Sequence, residues 1–520
     1  MPLSAQPGGR PGPAAGTEIL VAGSGAAGLT AALAASAAGA RVTVAECTAE
    51  LGGTTALSFG RVWVPAAGDP SAQEYLTAVY GDGYPRMIEA FLAAAPEMAE
   101  FVQRHCALRF IPCDSYPDYH PGLPGASGGG RALDVVPVKS RELNGRVRRP
   151  PGYLPLTHAD WERWRYPPRY SRQVLDDRLS NGVLAGGTAL AAALLDGVIR
   201  SGVRILTRTR LTGVRLGPSG AAAGAVLTAQ DGRTRVVGVT AVIMATGGFD
   251  RDTRLRERFL PRAVAATGAA PANVGDALRI AEDLGAALGN TGQAWWMPMM
   301  AVPGESLDGK PYYQSLIRER ALPRQIIVNE QGRRFADEAL PYNEFVKAML
   351  KESGTAWMIL DGGYRQRYAA PGPAVKADSL DNLAHVIGVS AEVLTQTVSR
   401  WNLQCAQGSD PDFGRGSNAY ERYMGDPATH PNPNLGPIDQ PPYYAIQVLP
   451  GTIGTKGGPV TDVNARVLRE DGQPIRGLYA AGNASAFWTA DGYPGPGATL
   501  GIVMAMGYRA GRHAATGSES

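Results

Sequence analysis

The stretch Glu18-Ile19-Leu20-Val21-Ala22-Gly23-Ser24-Gly25-Ala26-Ala27-Gly28 decides the fold when it is read together with residues 29–46. Ile19 to Val21 run apolar without alternation, the pattern of a short buried strand. The Ala/Leu-rich run behind Gly28 predicts a helix ending at Gly39, and Arg41 to Ala45 predicts a second strand that closes on Glu46. The three glycines differ in their roles. Gly23 makes the tight turn, Gly25 lets the backbone approach a pyrophosphate, and Gly28 allows helix and strand to pack closely. The helix start at Ala26 and Ala27 offers free N–H groups and the positive end of the helix dipole to phosphate. Glu46 stands where an acid accepts hydrogen bonds from ribose hydroxyls. Strand, turn, helix, strand and acid in register mark a dinucleotide-binding βαβ unit.

The rest of the composition is consistent with a large enzyme and excludes several other classes. At 520 residues the chain exceeds one simple core, so two or three packed domains are expected. Of its residues 44% are hydrophobic and 19% charged, and the net charge of +3 is scattered along the chain. No Lys/Arg concentration marks a nucleic-acid surface. The four cysteines, Cys47, Cys106, Cys113 and Cys405, form no CxxC pair, and the six histidines form no HxxxH arrangement. Neither a disulfide framework nor a metal site is expected, and a cytoplasmic setting fits. Residues 1–16, rich in Pro, Gly and Ala, read as a disordered leader without the apolar core of a signal peptide. No segment has the apolar length of a membrane span.

Three later segments resemble the glutathione-reductase-like flavoproteins and select FAD over NAD. Leu51-Gly52-Gly53-Thr54-Thr55 comes directly after the acid, where the resemblance has small residues and hydroxyls, with Ser58 beyond them, touch the pyrophosphate and flavin. Val242-Ile243-Met244-Ala245-Thr246-Gly247-Gly248 is similar to the group's ATG strand and turn. Gly477-Leu478-Tyr479-Ala480-Ala481-Gly482-Asn483 is similar to its last strand, whose end holds the ribityl chain; here Asn483 replaces the usual acid. No histidine lies in Thr54-Thr55-Ala56-Leu57-Ser58, so the FAD is expected to be non-covalent.

These elements occupy both ends of the chain. The fold class is therefore α/β: a discontinuous Rossmann-like FAD-binding domain, residues 17–285 and 450–520, interrupted by an α+β catalytic or cap domain at 286–449. Val203 to Leu216 reads as strand-turn-strand, and Ala225 to Thr228 with Arg235 to Val239 as a β-meander under the adenosine, with Leu211 as a cofactor contact. Asn273 is the expected cap of a helix reaching Ala287. Ile326 to Asn329, Glu330-Gln331-Gly332 and Arg333 to Phe335 suggest a hairpin. Residues 115–172 form a long irregular excursion, the kind that often supplies binding loops.

The whole arrangement, Glu18 to Gly511, resembles the fumarate reductase/succinate dehydrogenase flavoproteins, and within them the 3-ketosteroid dehydrogenases. The residues carrying this are Gly53-Thr54-Thr55-Ala56-Leu57-Ser58, Asp118-Tyr119-His120-Pro121, Gly454-Thr455-Lys456-Gly457-Gly458 and Tyr493-Pro494-Gly495-Pro496-Gly497-Ala498-Thr499. The resemblance implies removal of two hydrogens from adjacent carbons beside a ketone of a small apolar cyclic substrate, one as a proton and one as hydride to flavin N5. It assigns the Tyr493 hydroxyl and the Gly497 N–H to the developing oxyanion. The helix opening at Ala498, Thr499 and Leu500 would point its N-terminus at the flavin. Spacing selects Tyr313 as the proton acceptor, with Tyr312 as its neighbour and Tyr119 as its helper. A phenol of pKa about 10 is a poor base alone, so a paired hydroxyl is expected. The bulky Trp295 to Met300 and Phe487-Trp488 suggest an apolar, ring-shaped pocket that need not take a sterol. A fumarate-reductase-like acid reductase is the alternative, although no histidine precedes Gly457-Gly458. A tailoring desaturase or reductase on a non-steroid ring is another. The electron acceptor or donor is not specified by the sequence.

Overall fold

A computed structural model describes residues 16–517 except 140–142, 144, 353 and 370. The expected leader, residues 1–16, therefore lies outside the described residues but for Gly16. The first strand spans Glu18–Ala22, the helix Ala26–Ala37 and the second strand Arg41–Ala45. They seed a six-stranded sheet in the order 466–468, 474–480, 241–244, 18–22, 41–45, 204–206. All neighbours pair in parallel except the first two, so strands from both ends of the chain lie side by side, with Val21 opposite Ile243 and Ile243 opposite Tyr479.

Small residues let the last helix complete this layer. It runs Ala498–Thr516 and lies along the helix Ala26–Ala37. A Cβ on Gly507 would meet the Ala27 carbonyl oxygen at 2.4 Å, and one on Gly511 the Ala31 oxygen at 2.2 Å. The i, i+4 glycines thus bring the two helix backbones into contact, which explains why ten successive residues from Ala26 to Ala35 are buried.

An antiparallel meander of 209–216, 222–229 and 234–238 flanks the sheet as expected. A second sheet has the order 310–315, 294–307, 443–455, 356–361, 325–328, with 266–267 and 375–377 also pairing onto the long strand Tyr443–Thr455. That strand runs straight through residue 449, where the sequence suggested a boundary. The predicted hairpin at 326–335 shrinks to a tight turn, Asn329 N–H to Arg333 O at 2.9 Å, and a single bridge of Val328 with Arg334. Gln325–Val328 pairs instead with Ala356–Asp361, because its side chains are buried on both faces. Among the described residues no helix is long and apolar enough to cross a membrane, and all four cysteines are free.

Candidate active site

A cavity of about 680 Å³ runs from the glycine turn to the second sheet. Its nucleotide end is lined by Gly23, Gly25, Ala26, Ala27 and Glu46, facing Gly53, Thr54, Thr55 and Ser58. Ala245, Thr246 and Gly247, then Gly482 and Asn483, then Thr499 and Leu500 continue the wall. Three expected contacts do not reach it. A Cβ on Gly28 would sit 2.1 Å from the Gly23 carbonyl oxygen, so that glycine serves packing. The Leu211 side chain is buried in a core cluster with Leu20 and Val242, and Ala498 is buried at the start of the final helix.

Local geometry is dictated by the turn. Gly23 has φ 110°, and a Cβ there would strike the Ala245 oxygen at 2.2 Å. The Glu46 carboxylate accepts from the Ser24 N–H (3.0 Å) and hydroxyl (2.6 Å) through one oxygen, and from the Thr48 N–H and hydroxyl (2.9 Å each) through the other. Thr55 Oγ1 accepts the Ala26 N–H at 2.9 Å. Asn273 is not the cap of its helix, which starts at Asp276 behind Gly275 at φ 82°; its amide instead donates to Thr54 Oγ1 at 3.1 Å, and both residues line the cavity. The lining fits a dinucleotide: a Cβ added to Gly53 would lie 3.9 Å from the Gly25 backbone, and the buried Thr246 Oγ1 has no partner of its own.

At the other end three tyrosine rings form a triangle. Tyr119, Tyr342 and Tyr493 have centroids 5.3–5.4 Å apart, all edge to face. All three are buried and line the cavity. The Tyr119 hydroxyl donates to the Tyr342 oxygen at 3.0 Å, and Thr499 Oγ1 donates to the Tyr493 oxygen at 3.0 Å. Burial pushes the Tyr119 and Tyr342 hydroxyls well above the usual phenol range and raises Tyr493 as well. Gly497, at φ 89°, caps the final helix and lines the cavity beside them.

The triangle is fixed from behind. The Tyr119 N–H donates to the Pro494 oxygen at 2.9 Å, so the segment 118–120 is stitched to 493–494. Asp118 accepts from Trp63 Nε1 (2.8 Å) and pairs with Arg131 (2.7 Å), all three nearly inaccessible. Lys456 is fully buried and donates to the Ala490 and Gly492 oxygens at 2.8 Å each, with the Trp295 ring 3.8 Å away. Burial holds its pKa well below the ordinary lysine value. Trp295 in turn packs on Tyr493, centroids 4.7 Å apart.

Spacing selected Tyr313 or Tyr312 as the partner of Tyr119, whereas the structure brings Tyr342. Tyr312 and Tyr313 sit on the strand Lys310–Ser315 and line the cavity, but neither stacks on the triangle. The missed residue carried a signal. Tyr342, Phe345, Val346 and Met349 share the buried face of the helix Tyr342–Lys351, and only Tyr342 takes a hydroxyl into that face.

The FAD-binding domain family matches residues 18–500. The chain belongs to that family. It is 38% identical to 4-oxocyclohexanecarboxylate 2-dehydrogenase of Sinomonas cyclohexanicum, over 95% of this chain and 92% of that one. It is 37% identical to 3-oxosteroid 1-dehydrogenase of Mycobacterium tuberculosis, over 96% and 98%. The crystal structure of 3-ketosteroid delta1-dehydrogenase from Sterolibacterium denitrificans, in complex with 1,4-androstadiene-3,17-dione, superimposes with TM-score 0.89 at 34% identity, covering 96% of this chain and 99% of that one. A flavocytochrome c3 fumarate reductase, 21% identical with TM-score 0.67, shares the fold. The chain is accordingly an FAD-dependent oxidoreductase of the 3-ketosteroid-dehydrogenase-like kind, and FAD is its cofactor.

Proposed function

We propose that the protein dehydrogenates the C–C bond beside the ketone of an apolar cyclic substrate, or reduces the same double bond when electrons are supplied. The observation that carries this is the triangle of Tyr119, Tyr342 and Tyr493 beside Gly497. Non-covalently bound FAD supplies the two-electron oxidant, held along Gly23, Gly25, Glu46, Thr54, Thr246 and Asn483. Thr499 donates to the Tyr493 oxygen, which frees the phenol proton to point at the ketone oxygen. With the Gly497 N–H it stabilises the enol-like oxyanion. Tyr342 accepts the substrate proton, because its oxygen receives a hydrogen bond from Tyr119 that steadies the phenolate form. Tyr342 comes from the inserted part of the chain and Tyr493 from the nucleotide-binding part, so the two parts must close on one substrate. The free cysteines and the lack of a spanning helix among the described residues support a cytoplasmic setting.

Anaerobic mixing of the yellow holoprotein with cyclic ketones, a 3-ketosteroid among them, tests the reading. Bleaching of the visible flavin absorbance by at least one ketone is expected; bleaching by none overturns it.

A further inference from the structure

Beyond the tyrosines the cavity wall holds two guanidinium groups, Arg61 and Arg318, that form no ion pair among the described residues. Arg61 and Arg318 both line it, and they lie over the same Trp161 ring, at 5.1 and 3.2 Å from its centroid. Neither guanidinium has a carboxylate within 4.0 Å among the described residues. Arg318 is only 3% exposed; its Nη1 donates to the Trp161 and Arg165 oxygens at 3.1 and 3.2 Å, while Nε and Nη2 have no partner. Arg61 Nε donates to His158 Nδ1 at 3.1 Å and lies 5.4 Å from the Tyr116 ring. The nearby acids are committed elsewhere: Glu162 to the Tyr423 hydroxyl and His158, Asp134 to the His158 N–H, and Glu319 to the Ile317 N–H.

A buried guanidinium left unpaired is costly, and stacking on an indole offsets only part of that cost. Burial lowers Arg318 to about 10, so it remains charged at neutral pH. Tyr116 joins this cluster to the catalytic triangle, three residues before Tyr119, and stacks on Trp161 with centroids 6.0 Å apart. The Arg61 backbone itself abuts Gly497, whose Cβ would meet its carbonyl carbon at 2.5 Å. The arginines, Tyr493 and Gly497 thus line one cavity.

We infer that Arg318, supported by Arg61, anchors a carboxylate on the substrate, which makes the substrate class a ring ketone bearing an acid rather than a neutral sterol. This rests on the ring-ketone reading above. The guanidinium takes the carboxylate where Arg318 lines the cavity.

The test compares 4-oxocyclohexanecarboxylate with its methyl ester, which differs chiefly in losing the charge, by anaerobic flavin bleaching of the holoenzyme. The half-saturation concentration is expected to be roughly ten- to a hundred-fold lower for the acid. Arg318→Gln should erase most of that acid-over-ester preference, and Arg318→Lys should restore part of it. An ester that saturates as readily as the acid in the wild type overturns the inference while leaving the ring-ketone reading intact. So does a preference that survives Arg318→Gln. If neither compound bleaches the flavin, cyclohexanecarboxylate, which has no ketone, decides separately. A shift of the flavin spectrum that Arg318→Gln abolishes supports the anion site, and no shift overturns it.

Discussion

The glycine turn at 23–28 and the tyrosine triangle are built on opposite principles. The turn is written in backbone: Gly23 at φ 110° against the Ala245 oxygen, Gly28 against Gly23, Gly507 and Gly511 against the first helix. Its parts lie within one βαβ unit, the turn after strand 241–244 and one partner helix. The triangle is written in side chains that start 223 residues apart, at Tyr119 and Tyr342, and meet 3.0 Å from one another. The turn tolerates no added atom at Gly23 or Gly28, whereas the triangle tolerates shape-preserving changes that remove only a hydroxyl. Substitutions in the first should abolish the holoprotein, and those in the second should leave a yellow, slow enzyme.

Gly23→Ala gives the largest effect. The added Cβ meets the Ala245 oxygen at 2.2 Å with φ in a region L-residues avoid, costing roughly 2–5 kcal/mol in the βαβ unit. The purified variant should carry no flavin; a variant with full FAD content would break the contrast at its root.

Tyr342→Phe comes next. Removing the proton acceptor should slow anaerobic flavin reduction by about 10²–10⁴-fold with FAD still bound, while Tyr313→Phe stays within a few-fold of the wild type. The reverse outcome would return the role to the residue that spacing selected. Because burial raises the Tyr342 and Tyr119 hydroxyls, the phenolate fraction grows ten-fold per pH unit throughout the accessible range. The reduction rate should therefore climb to about pH 10 without a plateau; a plateau near pH 7 would point to another base.

That contrast also explains what was legible beforehand. Strands 18–22 and 241–244 were readable from short apolar runs ending in glycine turns, and 41–45 from its place between the helix and Glu46. The Tyr493–Thr499 turn was readable by resemblance, and Tyr119 with it. Tyr342 was not, since spacing along the chain says nothing about which tyrosine a long inserted sheet delivers to a cavity. Asn273 failed as a cap because Gly275, in the left-handed region, starts the helix and releases the amide to Thr54. Leu211 failed as a lining residue because its alternation on a half-buried strand points it into the core. Arg318 was invisible for the same reason as Tyr342: its unpaired state is a property of its neighbours.

Within the triangle Tyr493→Phe should cost about 10²–10³-fold in flavin reduction, the usual consequence of deleting one oxyanion donor. Thr499 would then lose its acceptor without any loss of packing, so the visible flavin spectrum should be retained. An unchanged rate would remove Tyr493 from the chemistry and leave Gly497 alone at the ketone.

The smallest effect should come from the support behind the triangle. Trp63→Phe deletes the 2.8 Å bond to Asp118 but leaves that carboxylate paired with Arg131 and accepting the Ser127 N–H at 2.9 Å. The ring stacked on Phe91, centroids 6.0 Å apart, is only partly lost. One hydrogen bond and a little volume amount to about 2 kcal/mol of stability. Because Asp118 keeps two partners and Tyr119 keeps its Pro494 acceptor, the tyrosine triangle should hold its geometry. Chemical denaturation should register the stability loss, and flavin reduction should slow by less than about ten-fold, well short of what deleting a donor costs. A loss as large as that of Tyr493→Phe would mean that the triangle has no rigidity of its own and borrows all of it from the Asp118 network.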